Sequence, residues 1–254
     1  DKPIGAPFGD MFADMTPMFG DATLPQDPEG YGDEAWFENF LSACGRFYEK
    51  GKIVALPYDA AVACTFYRQD LFEANSKDFE AEYGYRLEFN KDSTWKNVTD
   101  MAAFFKKAKE SGKDVPYGYA QHQGSFAWTT QLDIQRFLFA NGRWMDWNID
   151  DVYGSKEPGK TNWGDAQSVL MMQKFKDLAD VCHPDNLANG TLELNTVYQA
   201  GNIAMQTQYH EFAASIEDEK TSRAAGGKTA YAPCPKGDPS WIVNGGEAVN
   251  GTNC

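Results

Sequence analysis

The sequence predicts an α/β fold, because helix-period apolar patterns alternate along it with short apolar runs that are typical of strands. The chain has 254 residues, of which 42% are hydrophobic and 14% aromatic. That length and composition indicate a folded protein with one large domain or two modest ones. A third observation is the apolar run 53–56, which ends at Pro57 and predicts a buried strand followed by a turn.

The elements before residue 75 follow from local composition. Residues 1–33 are rich in Pro, Gly, Met and Asp and are predicted to form loops and short turns. The apolar spacing of residues 34–47 predicts a helix. After the predicted strand 53–56, a second β-prone run extends through Tyr67, and a short helix is predicted over residues 69–74.

The clearest helix signal lies in the middle of the chain, after residues 79–89, which are predicted to be loop or irregular strand. The run Asp92-Ser93-Thr94 offers an N-cap for a helix over residues 95–109, and Ser111-Gly112 is expected to end it. The apolar positions of this helix recur every three to four residues and form a stripe for the core, namely Val98, Met101, Ala102, Phe105 and Ala108.

The next segments alternate strand and helix. Residues 115–120 are strand-like, and a polar loop leads from them into a helix that ends at Ala140, before Asn141-Gly142. Residues 144–164 are predicted to be an irregular, aromatic and acidic excursion. A second long helix covers residues 165–182, and four of its residues are predicted to face inward: Val169, Met172, Leu178 and Ala179.

The last predicted elements are short. Asn195-Thr196 is expected to cap a helix that ends at Ala200, and Gly201 turns the chain into a strand over residues 203–206. A final strand is predicted over residues 229–232, before a segment rich in Gly and Asn.

Charge and cysteine content exclude several classes of function. A formal net charge of −14 disfavours nucleic acid and anionic membranes as partners, because no basic stripe exists to neutralise phosphates. The five cysteines show no CxxC spacing, which argues against a zinc site, and their odd number leaves at least one thiol unpaired. GxSxG, Walker, GxGxxG and HExxH motifs are absent, so no cofactor is predicted.

Five landmarks in order carry a family resemblance. They are the run 51–72, Thr94-Trp95, the aromatic loop of Phe126 and Trp128 with the later Asn141-Gly142, the segment 198–205, and Asn244-Gly245-Gly246. Together they resemble the extracellular solute-binding proteins of ABC sugar importers, the maltose-binding-protein-like family 1. The resemblance implies the two-lobe, type II periplasmic-binding-protein fold. We expect residues 1–57 to be part of the first lobe, 58–232 the second lobe and 233–254 the return crossover.

The resemblance also implies where the chain bends and what portion of the family it represents. Hinges are expected near residues 57–60 and 232–235. Nothing before Ile53 supplies the family's opening strand-helix-strand unit, and the chain stops eight residues after Gly246. We therefore expect a central fragment, mostly the second lobe with parts of the first.

The expected ligand-binding residues lie on loops at strand ends: Tyr58, Asp59, His122, Gln123, Phe126, Trp128, Gln208, Tyr209, His210, Glu211, Trp241, Gly245 and Gly246. Flat rings suit the C–H faces of sugars, and carboxylates and amides suit hydroxyl groups. Tyr209 is the best single candidate. Other interpretations remain open, because Asp59 is equally suited to cap a turn, and Phe126 and Trp128 to begin the core face of their helix.

The resemblance implies a protein that binds a sugar, oligosaccharide or polyol between its lobes and delivers it to an ABC permease. Such a protein is expected to be a monomer without enzyme activity, periplasmic or extracellular, either free or as a membrane-associated lipoprotein. One alternative is a carbohydrate-active enzyme such as a glycoside hydrolase, with Asp59 and Glu211 as its carboxylates. Another is a metal-ion carrier that uses Asp59, His122 and His210.

Overall fold

The computed structural model describes residues 12–21, 23–24, 45, 52–56, 61–124, 127–142, 164–222 and 224–243, without the side chains of 127–131. The chain divides into two compact units. The smaller consists of Asp1–Ala60 and Trp147–Lys160, and the larger of Ala61–Asp146 and Thr161–Cys254. In the part of the chain that the structure describes, no helix has the length and apolar character needed to cross a bilayer.

In the smaller unit, the described residues include a 3-10 turn, Thr16–Gly20, and a segment without helix or strand, 52–56. The prediction of a strand over 53–56 was wrong. Ile53 is buried, but its hydrogen bonds go to loop residues: its N–H donates to Thr16 Oγ1 (2.8 Å) and its carbonyl accepts from Met15 (2.7 Å). Isolated bonds of this kind do not build the regular ladder that defines a strand.

The larger unit contains a four-stranded mixed sheet. Its strands are β1 (Ala63–Arg68), β2 (Tyr117–Tyr119), β3 (Ile203–Tyr209) and β4 (Thr229–Pro233). They lie in the order β2-β3-β1-β4. Strand β2 is parallel to β3, whereas β1 is antiparallel to both of its neighbours, with Ala63 opposite Tyr209 and Cys64 opposite Pro233. Strand β1 therefore runs against the other three.

Six α-helices are described in the larger unit: α1 (Gln69–Tyr83), α2 (Trp95–Glu110), α3 (Ala127–Ala140), α4 (Ala166–Val181), α5 (Thr191–Gln199) and α6 (Ala213–Glu217). Buried side chains of α1 to α4 form one hydrophobic cluster, which includes Phe79, Phe105 and Phe137. Side chains of α5 and α6 form a second cluster with Phe66 and Ile203. The sheet thus has helices on both faces, which confirms the predicted α/β class.

Helix α2 forms as its sequence predicts. Thr94 and Asn97 make a reciprocal capping box, in which each side chain accepts a hydrogen bond from the other residue's N–H. All five apolar positions of the predicted stripe are buried. The helix ends at Glu110 with Ser111 as its C-cap, and Gly112 follows with a φ of +89°. The predicted end of α3 is also confirmed, because Gly142 adopts a φ of +75° directly after Asn141.

Two helices are longer than predicted. Helix α1 continues nine residues past Ala74, because the Asn75 side chain donates to Leu71 C=O within the helix and Phe79 is fully buried. Part of the predicted loop 79–89 is therefore helical. Helix α5 begins at Thr191, after Gly190, so Asn195 lies in its interior and caps nothing. Thr196 bonds back to Leu192 C=O, as a mid-helix threonine does.

The inward face of α4 differs from the prediction. Val169 is 58% exposed and Met172 is 36% exposed, whereas Leu178 is buried as predicted. The phase of the helix is set by Gln167, whose buried amide donates to the carbonyls of Asn141 and Trp241 and accepts from Val243 N–H. These bonds turn Met171 and Phe175 inward in place of Val169 and Met172.

Candidate functional site at one end of the sheet

The carboxyl ends of three strands meet at one end of the sheet. Because β1 alone runs the other way, β2, β3 and β4 finish where β1 begins. We call this region the His122 end and define it by Ala63, His122, Gln123, Gln208, Tyr209, His210, Glu211 and Cys234. In open α/β sheets ligands bind outside the carboxyl ends of the strands. The His122 end is therefore the candidate site.

Six of the predicted site residues come together at this end. His122 and Gln123 follow β2, Gln208 and Tyr209 finish β3, and His210 and Glu211 lie in the 3-10 turn that comes next. The prediction that β3 ends at residue 206 was wrong. The strand continues through Tyr209 because β1 pairs with it to the last residue, Ala63 opposite Tyr209.

His122 is fully buried and is held by a carboxylate. Asp133 of α3 accepts the His122 backbone N–H at 2.7 Å, and its other oxygen lies 3.0 Å from His122 Nδ1. A carboxylate only accepts, so Nδ1 carries the proton and Nε2 is left as an acceptor. Gln208 Nε2 lies 3.3 Å from that Nε2 and completes the partners of the ring.

Arg136 lies one turn after Asp133 on α3, and the two side chains are 3.5 Å apart. The guanidinium carbon is 4.7 Å from the centre of the Tyr209 ring, in the arrangement of a cation–π contact. Burial acts to lower the pKa of Arg136, but the Asp133 carboxylate together with Tyr209, Cys234 and Tyr119 outweighs it, so the pKa is raised and the charge is kept. Burial raises the pKa of the neighbouring Cys64 thiol to about 11.

Hydrogen bonds join the loop after β2 to the loop before α5. Gly124 N–H donates to Asn189 C=O at 2.8 Å, and Gln121 N–H donates to the Asn186 side chain. A Cβ at Gly124 would lie 2.9 Å from the backbone of Asn189 and Gly190, so only glycine permits this approach. The loop after β2 is thereby packed against the loop that precedes α5.

The remaining polar residues of the His122 end are more accessible. His210 and Glu211 are exposed, and Gln123 is half-buried. His210 Nδ1 accepts a hydrogen bond from the Val62 backbone N–H at 3.1 Å, and the His210 backbone N–H donates to Val62 C=O. His122 and His210 thus have separate structural partners, and no group of three His, Cys, Asp or Glu suited to a metal ion occurs among the residues that the structure describes.

Trp241 lies apart from this group. It is 7% exposed and packs against Phe137, with Lys174 Nζ 5.5 Å from its ring centre. In this structure it is a core residue beside α3 and α4. Five other predicted site residues lie outside the described part of the chain: Tyr58, Asp59, Phe126, Gly245 and Gly246. The backbone of Trp128 falls within α3, but its side chain also lies outside the described part of the chain.

The sequence prediction missed Asp133 and Arg136. A usable signal was present, because these are the only charged residues of α3 and they stand among Leu132, Ile134 and Phe137. Ionisable residues on an apolar helix are seldom buried unless they are paired. The partner that explains Asp133, His122, lies eleven residues away and across a loop, beyond the reach of local patterns.

The opposite end of the sheet has a different character. We call it the Arg68 end and define it by Arg68, Asp70, Lys109, Tyr117, His183 and Gly201. A cavity of about 410 Å³ opens there. Arg68 donates two short bonds to Asp70, at 2.7 and 2.6 Å. Burial acts to raise the pKa of Asp70, but these bonds and the Arg68 charge lower it overall.

Comparison with known proteins identifies the family. Residues 6–247 match the model of the bacterial extracellular solute-binding proteins. The chain belongs to this family. Membership confirms the predicted family and does not support the glycoside hydrolase alternative. It also makes this chain a member of a class that works outside the cytoplasm.

Solved structures of solute-binding proteins share the fold. A protein of Agrobacterium vitis S4 with bound D-mannitol has a TM-score of 0.64 at 19% identity, over 90% of this chain and 48% of that one. One of Agrobacterium radiobacter K84 in complex with ribitol has a TM-score of 0.60 at 19% identity, over 79% and 43%. The maltose-bound T. maritima MalE3 has a TM-score of 0.60 at 18% identity, over 91% and 49%. These similarities confirm the type II periplasmic-binding-protein fold, and the chain spans about half the length of these proteins.

A further similarity joins the chain to an enzyme. The bifunctional acetylxylan esterase/xylanase XynS20E of Neocallimastix patriciarum is 26% identical over 145 residues, which are 57% of this chain and 18% of that protein. Because so little of the enzyme is covered, this similarity assigns no activity to the chain.

Proposed function

We propose that this protein captures a small polyhydroxylated solute, a sugar, oligosaccharide or polyol, and presents it to the permease of an ABC importer. Family membership supports capture of a solute, and the structural relatives with bound D-mannitol, ribitol and maltose support its class. The observation that carries the proposal for this chain is the His122 end, where Tyr209 stands among polar side chains at the carboxyl ends of three strands.

The chemistry of the His122 end suits such a solute. The half-buried Tyr209 ring offers an apolar face for the C–H groups of a sugar or polyol. At the same end of the sheet, Gln123 supplies an amide, Glu211 a carboxylate and His210 an imidazole, which together donate and accept the hydrogen bonds that hydroxyl groups need. No covalent step is required, and no enzyme activity is proposed.

The proposed mechanism is a shift of population between open and closed lobes. The proposed hinges between the lobes lie near residues 57–60 and 232–235, as the family resemblance implies. A solute that contacts both lobes only in the closed state favours closure by the free energy of the added contacts. We propose that Tyr58, Asp59, Phe126, Trp128, Gly245 and Gly246 add to the site, and that a monomer, free or lipid-anchored, docks on the permease.

A thermal-unfolding screen of the purified full-length protein tests the proposal. The solutes are D-mannitol, ribitol, maltose, one amino acid and one divalent metal, each with and without chelator. A solute that binds only the folded state, at 100 times its dissociation constant, stabilises by about 2.7 kcal/mol. We expect such a shift for a sugar or polyol that is recovered unchanged. Consumption of the sugar would support a hydrolase, and a chelator-sensitive shift would support a metal carrier.

Substitution of Tyr209 locates the binding surface. We expect Tyr209→Leu to weaken binding of the solute that gives the largest shift by roughly 2- to 10-fold, since an aromatic contact contributes about 0.5–1.5 kcal/mol beyond its buried area. Tyr231→Leu is the matched control, because Tyr231 is also on the sheet but 44% exposed on β4. Equal losses in both variants, measured by calorimetry, would remove the His122 end from the proposal.

A further inference from the structure

A closed set of contacts surrounds Tyr209. Its ring lies 4.7 Å from the Arg136 guanidinium, Arg136 lies 3.5 Å from Asp133, and Asp133 holds the ring and backbone of His122. His122 Nε2 accepts from Gln208 Nε2, and the Gln208 side-chain oxygen accepts the Tyr209 N–H at 2.9 Å. The sequence of contacts therefore begins at the ring of Tyr209 and returns to its backbone.

Within this set, the donors and acceptors of His122 and Gln208 match those of their partners. With its proton on Nδ1, His122 donates to a carboxylate and accepts from an amide. Gln208 Nε2 has two hydrogens, and its second acceptor is Thr191 C=O at 3.0 Å. Asp133, His122, Gln208 and Arg136 are all at least nine-tenths buried. Because water cannot compete there, these partners hold one arrangement rather than several.

We infer that Arg136 is a positioning residue: it fixes the Tyr209 ring as a preformed stacking surface for the solute, and Asp133 and His122 in turn fix Arg136. The inference rests on the proposed function and names the residue that preorganises its site. A half-buried aromatic ring at a strand end would otherwise lose rotamer freedom when the solute binds. Ordering the ring beforehand removes that cost from the binding step.

The expected size of the effect follows from this cost. Immobilising one side chain on binding costs about 0.5–1.5 kcal/mol, which corresponds to roughly 2- to 10-fold in the dissociation constant. We expect Arg136→Met to weaken D-mannitol binding by about that factor, or binding of whichever screened solute gives the largest melting shift. Arg136→Lys, which keeps a cation for the ring, should restore part of the loss.

A cycle of variants separates positioning from direct contact and from folding. If Arg136 acts through the ring, Arg136→Met has no further effect on affinity in a Tyr209→Leu background. An equal loss in both backgrounds would overturn the inference, because Arg136 would then contact the solute itself. Asp133→Asn with Arg136→Met removes both charges together and serves if the single variant does not fold. Arg86→Met, at a side chain that is 73% exposed, is the control.

A second readout needs no solute. The chain has 12 tyrosines, so the contribution of Tyr209 to the near-ultraviolet circular dichroism is taken as the difference between the parent and Tyr209→Leu. We expect this difference to disappear in the Arg136→Met background, where the ring is no longer held. A difference that persists would overturn the inference. If no screened solute binds, the proposed function fails, while this measurement still decides whether Arg136 orders the ring.

Discussion

The two ends of the sheet each hold an arginine–carboxylate pair, and the pair with the better geometry is the more exposed one. At the Arg68 end, Arg68 donates two hydrogen bonds of 2.6–2.7 Å to Asp70; the Arg68 side chain is 9% exposed, and the Asp70 side chain is 41% exposed. At the His122 end, Arg136 and Asp133 make one contact of 3.5 Å, with side chains 7% and 3% exposed. The pair with the shorter hydrogen bonds is therefore not the pair that is more completely buried.

The difference shows that burial, more than bond length, decides how much an ion pair matters to the free energy of unfolding. An ion pair contributes only about 0–1 kcal/mol when water can solvate the partner that remains after the other is removed. At the Arg68 end the open cavity lined by Arg68 gives water that access, although the Arg68 side chain itself is only 9% exposed. A buried pair that loses one partner leaves an uncompensated charge out of water, at a cost of about 3–5 kcal/mol. The long contact at the His122 end should consequently matter more to folding than the short fork at the Arg68 end.

The largest effect is expected for Asp133→Ala. It strands the Arg136 charge and also leaves the buried His122 N–H without its acceptor, so the free energy of unfolding should fall by about 3–5 kcal/mol. Urea titration measures the loss. The matched control is Asp70→Ala, which should cost about 1 kcal/mol or less, and less still in high salt. If Asp133→Ala and Asp70→Ala lowered the free energy of unfolding equally, at low and at high salt, burial would not distinguish the two ion pairs.

A smaller effect is expected from Gly201→Ala at the Arg68 end. Gly201 has a φ of +80°, and an added Cβ would lie 2.5 Å from the Ala224 Cβ. Gly112 has a similar φ of +89° but nothing within 4 Å, so Gly112→Ala isolates the cost of the backbone conformation, about 1–2 kcal/mol. We expect Gly201→Ala to exceed this by about 1–3 kcal/mol because of overpacking. Identical melting temperatures for the two variants would mean that the backbone around Ala224 shifts without cost to accept the added Cβ.

The smallest effect concerns pH at the Arg68 end. Burial lowers the pKa of His183 below its ordinary value of 6.5, although Asp185 opposes this. The neutral form is therefore favoured in the folded state. This contribution to stability is complete above the unfolded pKa and is lost as pH falls through the folded one. We expect His183→Gln to flatten the decline of stability below about pH 6.5. An unchanged pH profile in the variant would assign that decline to other groups.

Several features followed from the sequence because their causes are local. The N-cap before α2, the five buried positions of α2 and the glycine after Asn141 depend on residues within a few positions of each other. The order of the helices and strands in the larger unit, apart from α6, and the family landmarks also followed from the sequence. So did the placement of His122 and Tyr209 at strand ends, because a polar residue after an apolar run marks such an end.

Tertiary structure decided what depended on distant partners. Residues 169–172 of α4 are all apolar, so periodicity could not choose its inward face, and Gln167 chose it through Asn141 and Trp241. Strand β3 reaches Tyr209 only because β1 pairs with it there. The roles of Asp133 and Arg136 depend on their contacts with His122 and Tyr209, which only the folded chain brings together. Local patterns specify the elements, but burial and pairing across the fold specify which polar groups face one another.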